Sequence, residues 1–224
     1  CEDVDLATVI ADLESAVARG HFFPVLGVDA STGVGIEEVL DLIVDGFPAP
    51  TEHQLPEVTA PDGSAVPTLT CDPDGPLCAE VVNTTFDQYV GRISLVRVFS
   101  GRLRPDTPVH VSGHLASLFG PERGHADHDI DERIGTLSSP LGAVQRTVGE
   151  AIAGDIVAIA KLAQAETGDT LSGVDHPLLM RPWQLPEPLL PVAVVAHSST
   201  DDDKLSQALS RVIAEDRSEE RRVG

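Results

Sequence analysis

Cysteine, aromatic and basic residues are all scarce in this chain of 224 residues. Its three cysteines, Cys1, Cys71 and Cys78, are an odd number without a Cys-x-x-Cys pair. That argues for buried or free thiols in a reducing cytosol over a zinc site. Fifteen Lys and Arg face 36 Asp and Glu, a formal net charge of −21. Phosphate contact needs cationic side chains, so a general nucleic-acid-binding surface is not expected, though local patches can still meet a large partner. No run of 18 apolar residues occurs, so no membrane span is expected. Residues 1–20 carry acids where a signal peptide needs a basic start and an apolar run. No Gly-x-Ser-x-Gly elbow supports hydrolase chemistry.

What is present is enough apolar residue, 42%, to bury a core in one or two domains. Residues 5–19 read as an amphipathic helix: Leu6, Val9, Ile10, Leu13 and Val17 recur at helical spacing, and Gly20 stops it. Residues 22–28 are almost continuously apolar, as a buried parallel strand requires. A turn over residues 29–35 leads to a second helix with Ile36, Val39, Leu40, Ile43 and Val44 on one face, ended by Phe47-Pro-Ala-Pro50. Helix, strand, turn and helix make the tail of an α/β domain, since one strand cannot form a doubly wound sheet.

The organising stretch is residues 90–112. Ile93, Leu95, Val96, Val98 and Phe99 favour a strand, and the apolar alternation slips a phase at Val96. A bulge, or a strand covered on both faces, accounts for the slip. Ser100-Gly101 and Pro105-Asp106 set turns, and Val109 and Val111 point to the same core. Further strands are expected at 77–83, 91–99, 108–112, 133–137 and 156–161, with a long exposed loop over 113–131. Short strands at near-regular spacing suggest a small closed barrel. Residues 189–196 read as another strand. Thr200 is a suitable N-cap for a helix through Leu205, Leu209, Val212 and Ile213, with Asp201 to Asp203 at its positive end.

Four motifs occur in order: Val96-Arg-Val-Phe-Ser-Gly-Arg-Leu103, Ala153-Gly-Asp-Ile156, Thr167-Gly-Asp-Thr-Leu171 and Asp203-Lys-Leu-Ser-Gln-Ala-Leu209. Together they make the chain resemble translation elongation factor G, and more closely its divergent elongation factor G-like paralogues, over roughly residues 5–216. The resemblance implies an α/β remnant (residues 1–50, the end of a GTPase domain), a linker (51–75), and an all-β barrel like the second domain of translation factors (76–175). The start of an α+β third domain would follow (176–216). The phosphate-binding loop, the switch segments and the guanine-specifying motif would lie upstream, and Cys1 reads as an upstream truncation. Residues 217–224, Arg-Ser-Glu-Glu-Arg-Arg-Val-Gly, read as a non-native tail of the kind that sequencing-adapter DNA encodes.

The resemblance also implies a function: GTP with magnesium in the complete protein, hydrolysis coupled to rearrangement on the ribosome, and a cytoplasmic location, with no DNA or membrane partner. Asp29, Ala30 and Ser31 match the turn whose backbone reads the guanine edge, although Asp29 stands where Ser is usual. Arg92, Arg97, Arg102 and Arg104 are the densest basic patch, and Arg102 and Arg104 at the corner are candidates for ribosomal RNA phosphate. No catalytic residue is expected within the chain. The alternative is a non-catalytic barrel module for protein or RNA binding, with divergence at Asp29 and over residues 138–149.

Other clusters carry less. Gly33-Val-Gly35-Ile-Glu-Glu38 begins like a dinucleotide fingerprint, but Glu38 would repel a pyrophosphate. His125-Ala-Asp-His-Asp-Ile-Asp-Glu132 has metal-ligand types, yet Glu132 and Ser138 stand where a calcium loop needs Gly and Glu, so no metal is expected. His110, His114, His176 and His197 read as scattered, and Trp183 as domain packing.

Overall fold

A computed structural model describes residues 5–53, 55–87, 89–120, 126–142, 144–183, 193–196 and 198–215. The chain divides into two units, Cys1–Gln54 and Leu55–Gly224.

In the first unit, α1 (Leu6–Ala18) packs against α2 (Ile36–Gly46). Their apolar stripes are those expected from the spacing. Gly35 precedes α2 in a left-handed conformation and Phe47 closes it in an extended one. Residues 22–28 are not a strand. Phe23 is 78% and Val25 92% exposed, and no ladder forms there. A strand is defined by a hydrogen-bonded neighbour, and the described residues of this unit supply none. The apolar run that signals burial therefore lies uncovered.

The second unit is built on β1 (Val58–Thr59), β2 (Cys78–Asp87), β3 (Gly91–Ser100), β4 (Arg102–Leu103) and β5 (Pro108–Gly113). After α3 (Leu115–Phe119) come β6 (His128–Arg133), β7 (Leu137–Leu141), β8 (Val144–Thr147) and β9 (Ala151–Ile152). Next are β10 (Ile156–Ala160), β11 (Thr170–Ser172), β12 (Leu179–Met180) and α4 (Ser199–Glu215). Eight strands form one antiparallel sheet in the order β6-β5-β11-β2-β3-β10-β7-β8, with β1–β12 and β4–β9 as small separate pairs. The all-β character is as expected, but the closure is not. β6 and β8 are the two ends of the sheet and do not pair with each other among the described residues.

Alternation along the strands builds the core. Ala79 and Val81 on β2, Val96 and Val98 on β3, and Val109 and Val111 on β5 enter one cluster with Leu137, Ile159, Leu162 and Leu171. Each of the Val, Ile and Leu side chains contributes about 1.5–3 kcal/mol when fully buried. Cys78 and Phe99 point the other way, into a second cluster with Leu178 and Met180, joined by Leu55, Val58, Val66 and Leu69. The centre of the sheet is thus covered on both faces. The phase slip has a second cause as well. Val81 pairs with Val96 but Asn83 pairs with Leu95, so β2 carries one extra residue, Val82. The bulge lies opposite Val96, on the partner strand.

Two expectations fail between β5 and β7. Residues 113–131 are not one loop, since they hold α3 and the start of β6. Residues 133–137 are not a strand: Arg133 ends β6 and Leu137 begins β7. Ile134 is fully buried from the connection between them, where its N–H donates to Thr107 O at 2.9 Å. Gly135 passes so close to Ala160 O that a Cβ would collide with it. In the final segment, residues 193–196 form no strand and residues 189–192 lie outside the described residues. Helix α4 begins at Ser199, and Ser198 ahead of it donates its hydroxyl to Asp201 Oδ2 at 2.6 Å. Thr200 is thus inside the first turn, not its cap. The octapeptide 217–224 and Cys1 also lie outside the described residues.

Candidate functional site

The turn over residues 29–34 is organised by its own acid. Asp29 Oδ1 accepts from Ser31 N–H at 2.9 Å and from the Ser31 hydroxyl at 2.6 Å, while Oδ2 accepts from the Thr32 hydroxyl at 2.7 Å. These bonds, led by the Ser31 hydroxyl, hold the Asp29 carboxyl at about 2, well below its ordinary value. Asp29 N–H donates to Val34 O at 3.0 Å, and Gly33 N–H to Asp29 O at 2.8 Å. Two of the three candidate amides, those of Asp29 and Ser31, are therefore used within the turn. Ala30 N–H makes no hydrogen bond among the described residues. It is the one amide of the three that could meet a carbonyl oxygen from outside.

The basic patch divides in two. Arg92 and Arg97 lie on β3 and serve the fold. Arg92 donates to Ala163 O at 2.7 Å and lies 5.8 Å from the Phe86 ring centroid; Arg97 lies 4.8 Å from that of Phe99. Arg102 and Arg104 flank the corner on and after β4. Arg102 Nη2 meets Asp74 Oδ1 at 2.9 Å and its Nη1 meets Glu150 Oε1 at 3.4 Å. Arg104 donates to Glu150 Oε2 from Nε at 3.2 Å and from Nη2 at 3.1 Å. The corner itself needs Gly101. Its φ is +76°, and a Cβ there would lie 2.6 Å from Leu77 Cα. Sequence reasoning found both corner arginines and missed their acids, which sit 28 and 46–48 residues away in the chain.

Comparison with known proteins bears on the whole chain. The family described as Elongation factor G domain 2 matches residues 76–174. An "Elongation factor G-like protein" of Mycobacterium tuberculosis is 59% identical over 217 residues, covering 96% of this chain and 30% of that protein. An "Elongation factor G" of Ehrlichia chaffeensis is 30% identical over 215 residues, covering 96% of this chain and 29% of that one. A crystal structure of a Thermus thermophilus protein superimposes with a TM-score of 0.68 at 26% identity, over 97% of this chain and 28% of that one.

Residues 76–174 are an elongation factor G domain 2, and the chain as a whole is similar to elongation factor G and elongation factor G-like proteins. It spans about 30% of the length of the curated relatives it matches. Two of the family motifs can be read as structural devices of domain 2. In Ala153-Gly-Asp-Ile156, Asp155 Oδ2 accepts Ile152 N–H at 2.9 Å, and Asp155 O accepts Val98 N–H at 2.9 Å, which ties the turn after β9 to β3. In Thr167-Gly-Asp-Thr-Leu171, the fully buried Asp169 accepts Glu166 N–H at 2.6 Å.

Two of the four histidines read as scattered, His110 and His114, share an acid. His110 on β5 lies 2.8 Å from Asp131 and 3.4 Å from Asp129 on β6, and His114 lies 2.8 Å from Asp129. His128 Nε2 lies 3.0 Å from Asp169 Oδ2. The hydrogen bond to Asp169 is the chief reason that the imidazole is pushed up to about 9. Asp127 takes the α3 amides of Ala116 and Ser117 at 3.0 and 3.2 Å. Glu132 accepts three consecutive N–H groups, from Ala163, Gln164 and Ala165, at 2.6, 2.9 and 2.9 Å. The sequence clustered these ligand types correctly, but each is turned to a neighbouring strand or loop. No group of three that could hold a metal occurs among the described residues. His125 and His197 lie outside them. No helix among the described residues is long and apolar enough to cross a membrane.

Proposed function

We propose that this chain is the middle of a ribosome-associated translational GTPase. The reading rests on the collinear 59% identity with the elongation factor G-like protein across 96% of the chain. Residues 1–50 would be the C-terminal end of the GTPase domain, residues 76–175 the second domain, and residues 176–216 the start of the third. The uncovered apolar run at 22–28 supports the first assignment, because a strand of that composition belongs inside a sheet.

In the complete protein, GTP with magnesium would drive a domain rearrangement on the ribosome, in the cytoplasm. The chemistry of phosphoryl transfer belongs to the nucleotide and its metal. The contribution of this chain would be the Ala30 amide, a donor for the guanine carbonyl. The ionised Asp29 shapes the turn by accepting bonds from Ser31 and Thr32, and so carries no bond to the base. Arg102 and Arg104 would face ribosomal RNA.

Ribosome-stimulated GTP hydrolysis by the complete gene product tests this. Stimulation together with co-sedimentation on ribosomes is expected. A product that neither binds ribosomes nor hydrolyses GTP would overturn it. The 224-residue chain alone should show no binding when titrated with guanosine nucleotides. Sub-micromolar affinity would overturn the assignment of residues 1–50.

A further inference from the structure

Arg102 and Arg104 converge on one carboxylate, and each takes a different oxygen of it. We propose that the pair is a two-point phosphate clamp and that Glu150 is its internal competitor, standing where a backbone phosphate of RNA would bind. The proposal rests on the reading of this corner as RNA-facing and adds how its affinity is set.

Three observations carry it. First, the geometry is that of a forked acceptor. One oxygen of Glu150 meets Arg102 Nη1 at 3.4 Å and the other takes both Arg104 Nε and Nη2, so two guanidinium groups converge on the place of a single anion, the donors that also suit a phosphate. Second, the site is accessible. The side chain of Arg104 is 59% exposed and that of Glu150 43%. Ion pairs at such exposure hold weakly in water, so Glu150 can be exchanged. Third, the local charge is balanced. Two guanidinium groups face Glu150 and Asp74, with Asp72 acting on Arg102 as well, so the corner has no net positive charge while these acids are in place. In a chain of net charge −21, this patch attracts a polyanion only when an acid leaves it. Arg92 and Arg97 cannot substitute, since both are held against the sheet by Phe86 and Phe99.

The test is fluorescence anisotropy of a labelled oligouridylate with the 224-residue chain, at low and at physiological salt, for wild type, Glu150→Gln, Arg102→Gln/Arg104→Gln and the triple variant. Thermal unfolding of each variant is followed alongside. Glu150→Gln is expected to tighten binding about three- to tenfold and to steepen the salt dependence by about one released counterion. The triple variant should lose the whole gain. Equal or weaker binding by Glu150→Gln, with a loss in the double arginine variant, overturns the competitor role alone. Unchanged binding by the double arginine variant overturns the RNA-facing corner itself, and the proposal with it. Inorganic phosphate is the second probe. If it displaces the oligonucleotide from Glu150→Gln at equal concentration of phosphate groups, free phosphate is the ligand and RNA is not.

Discussion

His128 Nε2 and Asp169 Oδ2 meet at 3.0 Å across strand β5, which separates the strand of one from the turn that holds the other. Gly113 on β5 pairs with His128, and a Cβ on it would lie 2.5 Å from both the His128 ring and Asp169 Oδ1. The edge strand is thus pinned to the interior through a gap that only glycine leaves.

The pair makes stability depend on pH. The folded imidazole is raised from 6.5 to about 9, so its contribution is complete below pH 6.5 and is lost as pH rises through about 9. Removing the ring takes the imidazolium away from a buried carboxylate. His128→Ala should cost about 2–4 kcal/mol at neutral pH and flatten stability against pH between 6.5 and 9. Urea unfolding across that range is the measurement, and an unaltered slope would refute the assignment.

Gly113→Ala should cost about 1–3 kcal/mol, because the new methyl group must push the His128 ring or the Asp169 carboxylate aside and so break the bond between them. Its pH profile should resemble that of His128→Ala, since the methyl group separates the same two side chains. A full loss of stability with the pH slope intact would place the strain elsewhere.

Glu80 also favours the fold in acid. It is buried on β2 opposite Arg97, and burial pushes its carboxyl up to about 7 while Arg97 pulls it back. Its contribution is complete below 4.5 and lost as pH rises through about 7. Glu80→Gln should therefore stabilise the chain at pH ~8 by about 1–3 kcal/mol and change little near pH ~5. Calorimetry at the two values checks it, and destabilisation at the higher pH would sink it.

Glu132→Gln should expose a different weakness. The charged acceptor of three amides becomes a single neutral oxygen, at a cost of about 1–3 kcal/mol. Hydrogen exchange should quicken at Ala163, Gln164 and Ala165 before it quickens in β10. Uniform protection across both segments would contradict the role.

Much of this was legible from residue order. The helical stripes of α1 and α2 are local, and so are the turns at Gly101 and Asp106, because both depend on a few neighbouring side chains. The bulge was legible as a phase slip, but not its owner, since the extra residue, Val82, is in the strand that Val96 faces. The corner arginines were legible as a patch. Glu150 was not, because it is 46 residues beyond Arg104 and nothing local links them. The strand expected at 22–28 failed for a related reason. Apolar composition reports a wish for burial, and only a neighbouring strand can satisfy it. The histidines looked scattered because antiparallel register, not spacing, brings His110 to Asp131.

The unclosed sheet leaves its two rims unequal. The β6 rim carries His128, Asp129, Asp131 and Glu132, which are occupied with holding their own neighbours. The β8 rim begins at Val144, whose register partner is Leu141 on β7, and both are about two-thirds bare to solvent. A concentrated solution of the chain should therefore gel or precipitate by zipping along β8, and a lysine in place of Val144 is the simplest way to keep it clear.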